Sequence, residues 1–273
     1  MSRQPVMIPF VKAVACGNDF LLIDFQQTEG TVAAAELSAF TRRICDRHEG
    51  VGADGVEWMY PHRTADVEVR LINADGSAAE ISGNGTRCVA AYFCAERGQE
   101  KIAIQTGAGL KTCTLIQRSD SEYEFEMEMG EAVVGSELTL KLDGSAVRGI
   151  PVSMGNPHYA MFVSEFSANW QQQAARVQHS PEFERGVNIE LVAIDGMHDV
   201  RARFFERGVG ETQSSGTGSC AAAVAAMAAS RAQSPVRVHA PGGTQMVRKE
   251  GNCVFLRGSA QLVCRGEFVL GSS

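Results

Sequence analysis

The sequence predicts an α+β fold built from two similar lobes, and three observations lead to this prediction. Segments that alternate apolar and polar residues, the period-2 signature of strands, recur in both halves of the 273-residue chain. A serine followed by a Gly-x-Gly turn and an apolar, alanine-rich run occurs twice, at Ser82 and at Ser215. The predicted elements follow the same order around each turn. We interpret this repetition as an internal duplication, and two lobes imply a cleft.

The first half is predicted to be mainly strands with two helices. The predicted strands cover residues 6–15, 20–25, 56–60, 65–72, 101–105, 111–117 and 122–129. The predicted helices cover residues 32–47 and 86–97, and Gly98 is placed to cap the second. Residues 50–55 match G-x-G-x-x-G, but they follow a helix and precede a strand, the reverse of the order that a dinucleotide site requires. We interpret them as a turn.

The second half repeats this order. The predicted strands cover residues 146–153, 159–163, 188–193 and 200–205, followed by a helix from about 217 to 231 and further strands to the end. Gly17-Asn18-Asp19-Phe20 in the first half corresponds to Gly155-Asn156-Pro157-His158 in the second. Each Ser-Gly-x-Gly turn follows a strand and opens a helix.

Composition excludes several functional classes. A formal charge of -7 and the absence of basic runs longer than Arg42-Arg43 argue against nucleic acid as a partner. The longest apolar run, residues 220–229, is too short to span a bilayer, so we expect a cytoplasmic protein without a membrane partner. The eight cysteines and six histidines show neither C-x-x-C nor metal-ligand spacing, so we expect no disulfide framework and no metal. Walker A and G-x-S-x-G motifs do not occur.

The twin turns are candidate anion sites. Glycines on both sides of Asn84 and of Thr217 let a ligand approach the backbone, and the amides that open a helix carry partial positive charge. A single turn of this kind is purely structural about as often as it binds an anion. Its repetition in matching places favours the binding of a small anion, such as a carboxylate, from two sides.

Other polar residues could complete an amino-acid pocket. Glu206 and Arg207 could bind the ammonium and carboxylate groups of an amino acid, although a surface pair is the commoner interpretation. Four asparagines lie at predicted turns or strand edges, where asparagine is common, and together they could line a pocket: Asn18, Asn73, Asn156 and Asn188. His158 is a candidate for the pocket wall rather than for a base, because a lone histidine is more often structural.

In combination these motifs resemble the diaminopimelate epimerase family. The resemblance rests on four stretches in order: residues 17–20, residues 73–77 through Cys88, residues 155–158, and residues 206–218. It covers nearly the whole chain. It implies two lobes, residues 1–128 with about 262–273 and residues 129–261, each a mostly antiparallel sheet wrapped around a central helix, with the active site in the cleft.

The resemblance also implies an activity. Family members epimerise LL- to meso-diaminopimelate without pyridoxal phosphate or any other cofactor, in lysine and peptidoglycan biosynthesis, with one acid/base residue on each face of the α-carbon. By resemblance, backbone amides of Gly83, Asn84, Gly216 and Thr217 hold the α-carboxylate. The far end of the substrate then meets Asn73, Asn188, Glu206 and Arg207, while Asn18 and Asn156 line the site. Some members carry Gln at the position of Gly55. A homodimer is compatible with the resemblance.

The chain departs from the family at both acid/base positions. The family has cysteines there, whereas this chain has Ser82 and Ser215. A thiol has a reference pKa of about 8.5 and forms a usable thiolate, but a serine hydroxyl needs a neighbouring base. Three interpretations remain open: serines introduced to trap substrate, a natural lineage in which serine acts with local help, and a relative that isomerises another substrate or only binds an amino acid.

Overall fold

A computed structural model describes residues 6–28, 31–142 and 145–270. The chain divides into two compact units. Unit 1 comprises Met1–Glu126 and Ser259–Ser273, and unit 2 comprises Met127–Gly258. No helix in the described ranges is both long enough and apolar enough to cross a membrane.

Unit 1 begins with two antiparallel strands and continues through a mixed series of strands around two helices. Its elements are β1 (Val6–Ala15), β2 (Asn18–Asp24), α1 (Leu37–Cys45), β3 (Gly55–Tyr60), β4 (Val67–Asn73), β5 (Ala78–Ala79), α2 (Gly83–Arg97), β6 (Lys101–Thr106), β7 (Gly109–Ser119) and β8 (Glu122–Glu131). Two short 3-10 helices, Phe25–Thr28 and Ala34–Glu36, precede α1. The last residues of β8 already belong to unit 2.

Unit 2 has the same kinds of elements. They are β9 (Val133–Val134), β10 (Leu138–Leu142), β11 (Ser145–Ser153), β12 (Pro157–Phe162), α3 (Trp170–Gln178), β13 (Asn188–Gly196), β14 (Asp199–Glu206), β15 (Gly210–Thr212), α4 (Gly216–Ala228), β16 (Val236–Ala240), β17 (Gly243–Glu250) and β18 (Cys253–Leu270). The second half of β18 returns to unit 1, where it pairs with β1.

The strand pairings repeat from one unit to the other. In unit 1, β2 runs parallel to β3 and β4 runs parallel to β6, while the pairs β1–β2, β3–β4, β4–β5 and β6–β7 are antiparallel. In unit 2, β12 runs parallel to β13 and β14 runs parallel to β16, while the pairs β11–β12, β13–β14, β14–β15 and β16–β17 are antiparallel. The parallel registers also correspond. Phe20 pairs with Gly55, the first residue of β3, and His158 pairs with Asn188, the first residue of β13.

Each unit contains one helix that is buried on nearly all sides. In α2, every residue from Asn84 to Ala91 is buried, and the helix packs on β1, β2, β6 and β7. In α4, every residue from Gly218 to Ala226 is buried against strands of unit 2. The alanines of α4 let the surrounding strands approach closely, and a helix that is apolar all round belongs inside a core.

A second helix covers the outer face of the sheet in each unit. Phe40 of α1 packs against Trp58 of β3, with ring centroids 5.6 Å apart. In the matching place of unit 2, Trp170 and Val177 of α3 pack with Leu191 of β13. Because both faces are covered, the first five residues of β3 and the first six of β13 are buried without alternation.

Several predicted boundaries were wrong. The helix predicted over 32–47 is shorter, because the backbone of Asp46 is extended and its carboxylate accepts the amides of His48 and Glu49. The helix predicted from 86 begins at Gly83, since Ser82 caps it. The helix predicted to reach 231 ends at Ala228, and Ser230 adopts a left-handed conformation. Four strands and α3 were not predicted: β5, β9, β10 and β15.

Other predictions are confirmed. Strand β1 has the predicted bounds, and Gly98 caps α2 in the left-handed region with a φ of 66°. Residues 50–54 lie between α1 and β3, and Gly55 begins β3, so the G-x-G-x-x-G string forms a connection that opens no helix. Each Ser-Gly-x-Gly turn follows a short strand, β5 or β15, and opens a helix.

Candidate active site

Ser82 is the N-cap residue of α2. Its backbone is extended, and its hydroxyl oxygen accepts the Gly85 amide at 3.0 Å while its carbonyl accepts the Thr86 amide at 2.8 Å. A serine is favoured here because it satisfies one of the helix amides that have no partner within the helix. Gly83 and Asn84 are therefore the first two helical residues, at the positive end of α2.

A chain of polar side chains fixes this end of α2. The Asn84 amide donates to Asn18 Oδ1 at 2.7 Å, and the Asn18 amide donates to Asp54 Oδ2 at 3.0 Å. Arg87, fully buried, donates to Asn84 Oδ1 at 2.5 Å and to the Gly83 carbonyl at 3.2 Å. Asn18 and Asn84 are thus brought together, and Arg87 stabilises the first turn of α2 through Gly83 and Asn84.

A buried carboxyl group lies beneath the same turn. Glu57 of β3 is 2 % exposed, and its Oε1 has no hydrogen-bond partner. A β-carbon added to Gly85 would lie 1.7 Å from that oxygen, so only glycine fits there. Burial raises the pKa of Glu57 to about 8, which makes this carboxyl group largely neutral at pH 7.

Ser215 is the N-cap of α4 in the same way. Its hydroxyl oxygen accepts the Gly218 amide at 3.1 Å, its carbonyl accepts the Ser219 amide at 3.0 Å, and Gly216 and Thr217 open the helix. Unlike the half-buried Ser82, Ser215 is buried. Its hydroxyl is also hydrogen-bonded to the carboxylate of Glu206 at the end of β14. Burial raises the pKa of Glu206, although that hydrogen bond opposes the rise.

His158 is not the lone histidine that the sequence suggested. Its Nδ1 lies 2.6 Å from Glu190 Oε1, its Nε2 lies 3.0 Å from Asn156 Oδ1, and the ring is 1 % exposed. Asn156 continues the chain by donating to the Thr217 hydroxyl at 3.5 Å. Burial raises the pKa of Glu190 to about 7, with the His158 contact opposing the rise. Both ring nitrogens of His158 therefore lie within hydrogen-bond distance of an oxygen atom.

The remaining predicted residues have mainly structural contacts. Asn188 donates to the Pro157 carbonyl at 3.0 Å and accepts the Arg207 amide at 2.9 Å. The exposed guanidinium of Arg207 donates to the Arg185 carbonyl at 3.0 Å. Asn73 donates to the Ser77 hydroxyl at 3.0 Å in the turn that follows β4. Glu206 and Arg207 are adjacent in sequence, but their contacts are different.

Two cysteines follow the serines within the buried helices. Cys88 and Cys220 are fully buried within α2 and α4. Burial raises the pKa of the Cys88 thiol far above its ordinary value. Across residues 6–28, 31–142 and 145–270, no three His, Cys, Asp or Glu side chains come together as a metal site would require.

Sequence reasoning missed Glu57 and Glu190. Both are the third residue of a strand that pairs in parallel, facing Leu22 in unit 1 and Ala160 in unit 2. The signal was present in the sequence, since each is the single charged residue in the buried, apolar part of its strand, at the same place in the two halves. Chemically, each unit combines a capped helix N-terminus, which attracts anions, with a nearby buried carboxyl group that can hold a proton.

Known proteins are similar to this chain over nearly its whole length. The profile of the family described as "Diaminopimelate epimerase" matches residues 10–135 and 150–263. The diaminopimelate epimerase of Desulfitobacterium hafniense is 34% identical, over 94% of this chain and 96% of its own. That of Pelotomaculum thermopropionicum is 35% identical, over 95% of this chain and 98% of its own.

Solved structures show the same fold at lower identity. A PhzF-family phenazine biosynthesis protein of Bacillus anthracis is 17% identical with a TM-score of 0.71, over 97% of this chain and all of its own. A hydroxyproline epimerase from Agrobacterium vitis is 15% identical with a TM-score of 0.68, over 97% of this chain and 92% of its own. Given the profile match and the identity to curated relatives, this chain belongs to the diaminopimelate epimerase family, a family of isomerase-type enzymes.

Proposed function

We propose that this enzyme interconverts LL- and meso-diaminopimelate without a cofactor. Of Ser82 and Ser215, one removes the α-proton and the other donates a proton to the opposite face of the α-carbon. The observation that carries the proposal is the equivalence of the two serines. Each is the N-cap of the buried helix of its unit, and each hydroxyl accepts the amide three residues on. Two such groups are what an epimerase needs, because one removes the α-proton from one face and the other returns a proton to the opposite face.

The two helix N-termini are proposed to hold the substrate α-carboxylate. The amides of Gly83 and Asn84 on α2, and of Gly216 and Thr217 on α4, would donate to its oxygens. The proposal requires both helix ends to meet one substrate in a cleft between two lobes. Asn18 and Asn156 would line that site, each through its contact with the second residue of a helix.

At Ser215, Glu206 supplies the base that a serine requires. As the α-C–H bond breaks, the Ser215 oxygen takes the proton while its own O–H proton passes to the Glu206 carboxylate. The electron pair stays on the α-carbon until the other serine protonates it. A carboxylate whose pKa is raised by burial accepts this proton more readily than an exposed one. We assign Glu206 this role in addition to contact with the far end of the substrate.

The far amino-acid end of diaminopimelate is proposed to meet Asn73, Asn188 and Arg207. For Arg207 this contact would use guanidinium N–H groups other than the one that donates to the Arg185 carbonyl. Asn188 would act partly through the Arg207 amide, which it already holds. We place the enzyme in the cytoplasm, in lysine and peptidoglycan biosynthesis, and propose a homodimer.

A second candidate is epimerisation of a different amino acid. The observation that favours it is the Arg207 side chain, whose guanidinium is bound to the Arg185 carbonyl. A substrate without a second amino-acid end would not need this guanidinium. The shared fold with a hydroxyproline epimerase shows that the architecture also serves a smaller substrate.

The deciding experiment is α-proton exchange in D₂O. LL- and meso-diaminopimelate are incubated with the native protein and with a Ser82→Cys, Ser215→Cys variant, and deuterium uptake is followed by mass spectrometry. Uptake with the native protein supports the proposal. If only the double variant exchanges, the pocket is an epimerase pocket but the serines do not act as bases. If neither does, proline and other amino acids are tested next, and ligand binding without exchange would indicate a binding protein.

The same double variant tests whether one substrate meets both helices. Binding of one diaminopimelate per chain should protect the two introduced thiols, at positions 82 and 215, together from alkylation, with a single apparent affinity. Protection of only one of these thiols at saturation would contradict a shared site.

A further inference from the structure

Glu57 is an unusual residue for its position. It lies in the apolar strand β3, where its neighbours Val56 and Trp58 are completely buried. Its Oε1 has no hydrogen-bond partner, although a buried carboxyl group ordinarily has one. Such a group lowers the stability of the fold unless it is protonated, so its presence calls for a functional explanation.

The Glu57 carboxyl group is directed at the turn that Ser82 caps. A β-carbon on Gly85 would lie 1.7 Å from Oε1, and the amide of this glycine donates to the Ser82 hydroxyl at 3.0 Å. With ordinary bond lengths, these contacts limit the distance between Glu57 Oε1 and Ser82 Oγ to about 8 Å. A buried carboxyl group with one oxygen that lacks a hydrogen-bond partner is thus aimed at the helix end where the hydroxyl lies.

In unit 2, the residue that corresponds to Glu57 has a hydrogen-bond partner. Glu190 is the counterpart of Glu57, and its Oε1 contacts His158 at 2.6 Å. In unit 1, the counterpart of His158 is Phe20, which cannot exchange a proton. Ser215 also has Glu206 beside it, whereas the counterpart of Glu206 is Asn73. By this correspondence, Glu57 lies in unit 1 where unit 2 has a carboxyl group that contacts a proton-exchanging side chain.

The surroundings keep Glu57 close to its neutral form. Burial alone raises its pKa to about 8. On α2, Glu57 acts on the Cys88 thiol, whose pKa is raised by burial first and by Glu57 among smaller causes. The other groups that act on this thiol are Arg87 of α2, Asp19 of β2 and Cys16, which precedes β2. A group that titrates near neutral pH is present in both forms, as an acid/base partner must be when the reaction runs in both directions.

We propose that Glu57 is the positioning residue that allows Ser82 to take up and donate the α-proton. Glu57 does so by exchanging a proton with the Ser82 hydroxyl through a short hydrogen-bonded relay. The inference rests on the proposed function. In one direction, the Ser82 oxygen takes the α-proton while the hydroxyl proton moves to the Glu57 carboxylate, and the electron pair stays on carbon. In the other direction, neutral Glu57 returns a proton to Ser82, which protonates the carbanion. Each step conserves protons and requires no oxidant or reductant.

A double-mutant cycle tests this inference. Deuterium uptake by LL- and meso-diaminopimelate in D₂O is measured for the native protein, Glu57→Gln, Ser82→Cys and the Ser82→Cys, Glu57→Gln double variant. Glu57→Gln should slow exchange by about 100-fold or more in the native background, because glutamine cannot take up a proton. In the Ser82→Cys background it should slow exchange much less, by about 3-fold or less, since a thiolate needs no second base. Glu122→Gln, on an exposed part of β8, is the matched control.

The outcomes separate the inference from the proposed function. Equal slowing in the two backgrounds would mean that Glu57 only supports the fold, and unchanged exchange in Glu57→Gln would mean that Ser82 acts without it; either result overturns the inference. If the native protein exchanges neither stereoisomer, the proposed function itself fails.

A second readout does not depend on turnover. In the Ser82→Cys variant, the alkylation rate of the introduced thiol is followed against pH on the peptide that contains it. An ionised Glu57 nearby raises the apparent pKa of this thiol, so Glu57→Gln should shift the alkylation profile to lower pH. An unchanged profile would show that Glu57 does not influence position 82, and would overturn the inference.

Discussion

The Ser215 hydroxyl is held between a donor and an acceptor: it accepts the amide of Gly218 at 3.1 Å and shares a hydrogen bond with the Glu206 carboxylate. The amide fixes the oxygen, so the hydroxyl proton is directed towards Glu206. This arrangement combines helix capping with activation of a weak nucleophile by an adjacent base.

Replacing Glu206 with glutamine should therefore impair exchange far more than folding. Glu206→Gln keeps the size of the side chain and can still accept the hydroxyl proton in a hydrogen bond, but it cannot take up a proton. We expect α-proton exchange to fall by about 10² to 10⁴. Mass spectrometry in D₂O measures the loss, and Glu211→Gln, an exposed carboxylate on β15, is the matched control. Equal rates for the two variants would exclude Glu206 as the base.

Glu57 should make stability depend on pH. Its folded-state pKa of about 8 lies above the ordinary value of 4.5, so the folded protein holds this proton more tightly than the unfolded chain does. The stabilisation is complete below about pH 4.5 and is lost as the pH rises through 8. The free energy of unfolding of the native protein, minus that of Glu57→Gln, should therefore fall over this range by at most about 1.4 kcal/mol per pH unit.

Urea denaturation at several pH values measures this difference. Glu190, whose pKa is raised to about 7, is present in both proteins, so its contribution cancels. A difference that stays constant with pH would mean that Glu57 is ionised in the folded state.

Gly85 and Glu57 should be energetically coupled. Gly85→Ala would place a β-carbon 1.7 Å from the Glu57 carboxyl oxygen, and the overlap should cost about 1 to 3 kcal/mol or more. Glu57→Ala removes that oxygen, so alanine at position 85 should be tolerated better in the double variant. Thermal or urea unfolding of all four proteins gives the coupling energy, expected to exceed about 1 kcal/mol. Additive effects would contradict the close approach of the two residues.

Arg87 should be difficult to replace even by lysine. Its buried guanidinium donates to Asn84 Oδ1 and to the Gly83 carbonyl through separate nitrogens. An ammonium group lacks this planar fork, so Arg87→Lys should lower the free energy of unfolding by about 2 to 4 kcal/mol. Arg63→Lys, at an exposed position, should change stability by less than about 0.5 kcal/mol. Urea denaturation compares the two, and similar values would show that the fork is not needed.

Local sequence signals predicted part of the fold well. The pattern of β1 gave both of its ends, and the twin serines were correctly expected where strands turn into helices. Helix α3 was missed because its buried positions, Trp170, Ala174, Val177 and Gln178, have helical spacing but include a small and a polar residue. Such residues give a weak apolar signal, and only packing against β13 shows that they are internal.

The candidate site was harder to predict, because its partners are distant in sequence. Glu190 reaches His158 through the parallel register of β12 and β13, which no local pattern encodes. Glu57 was overlooked because β3 is buried on both faces, so alternation could not show which way its side chain points. Glu206 and Arg207, although adjacent, have different contacts, and sequence alone treated them as one recognition pair.

The pairing of β1 with β18 affects how the chain can fold during synthesis. Val6 pairs with Leu270, so β1 lacks its second neighbouring strand until the ribosome has reached the C-terminal half of β18. Unit 2 is complete at Gly258 and can fold while unit 1 still lacks its closing strand. Until then, one edge of β1 is open to pairing with other chains, so aggregation of the nascent protein should begin at this edge.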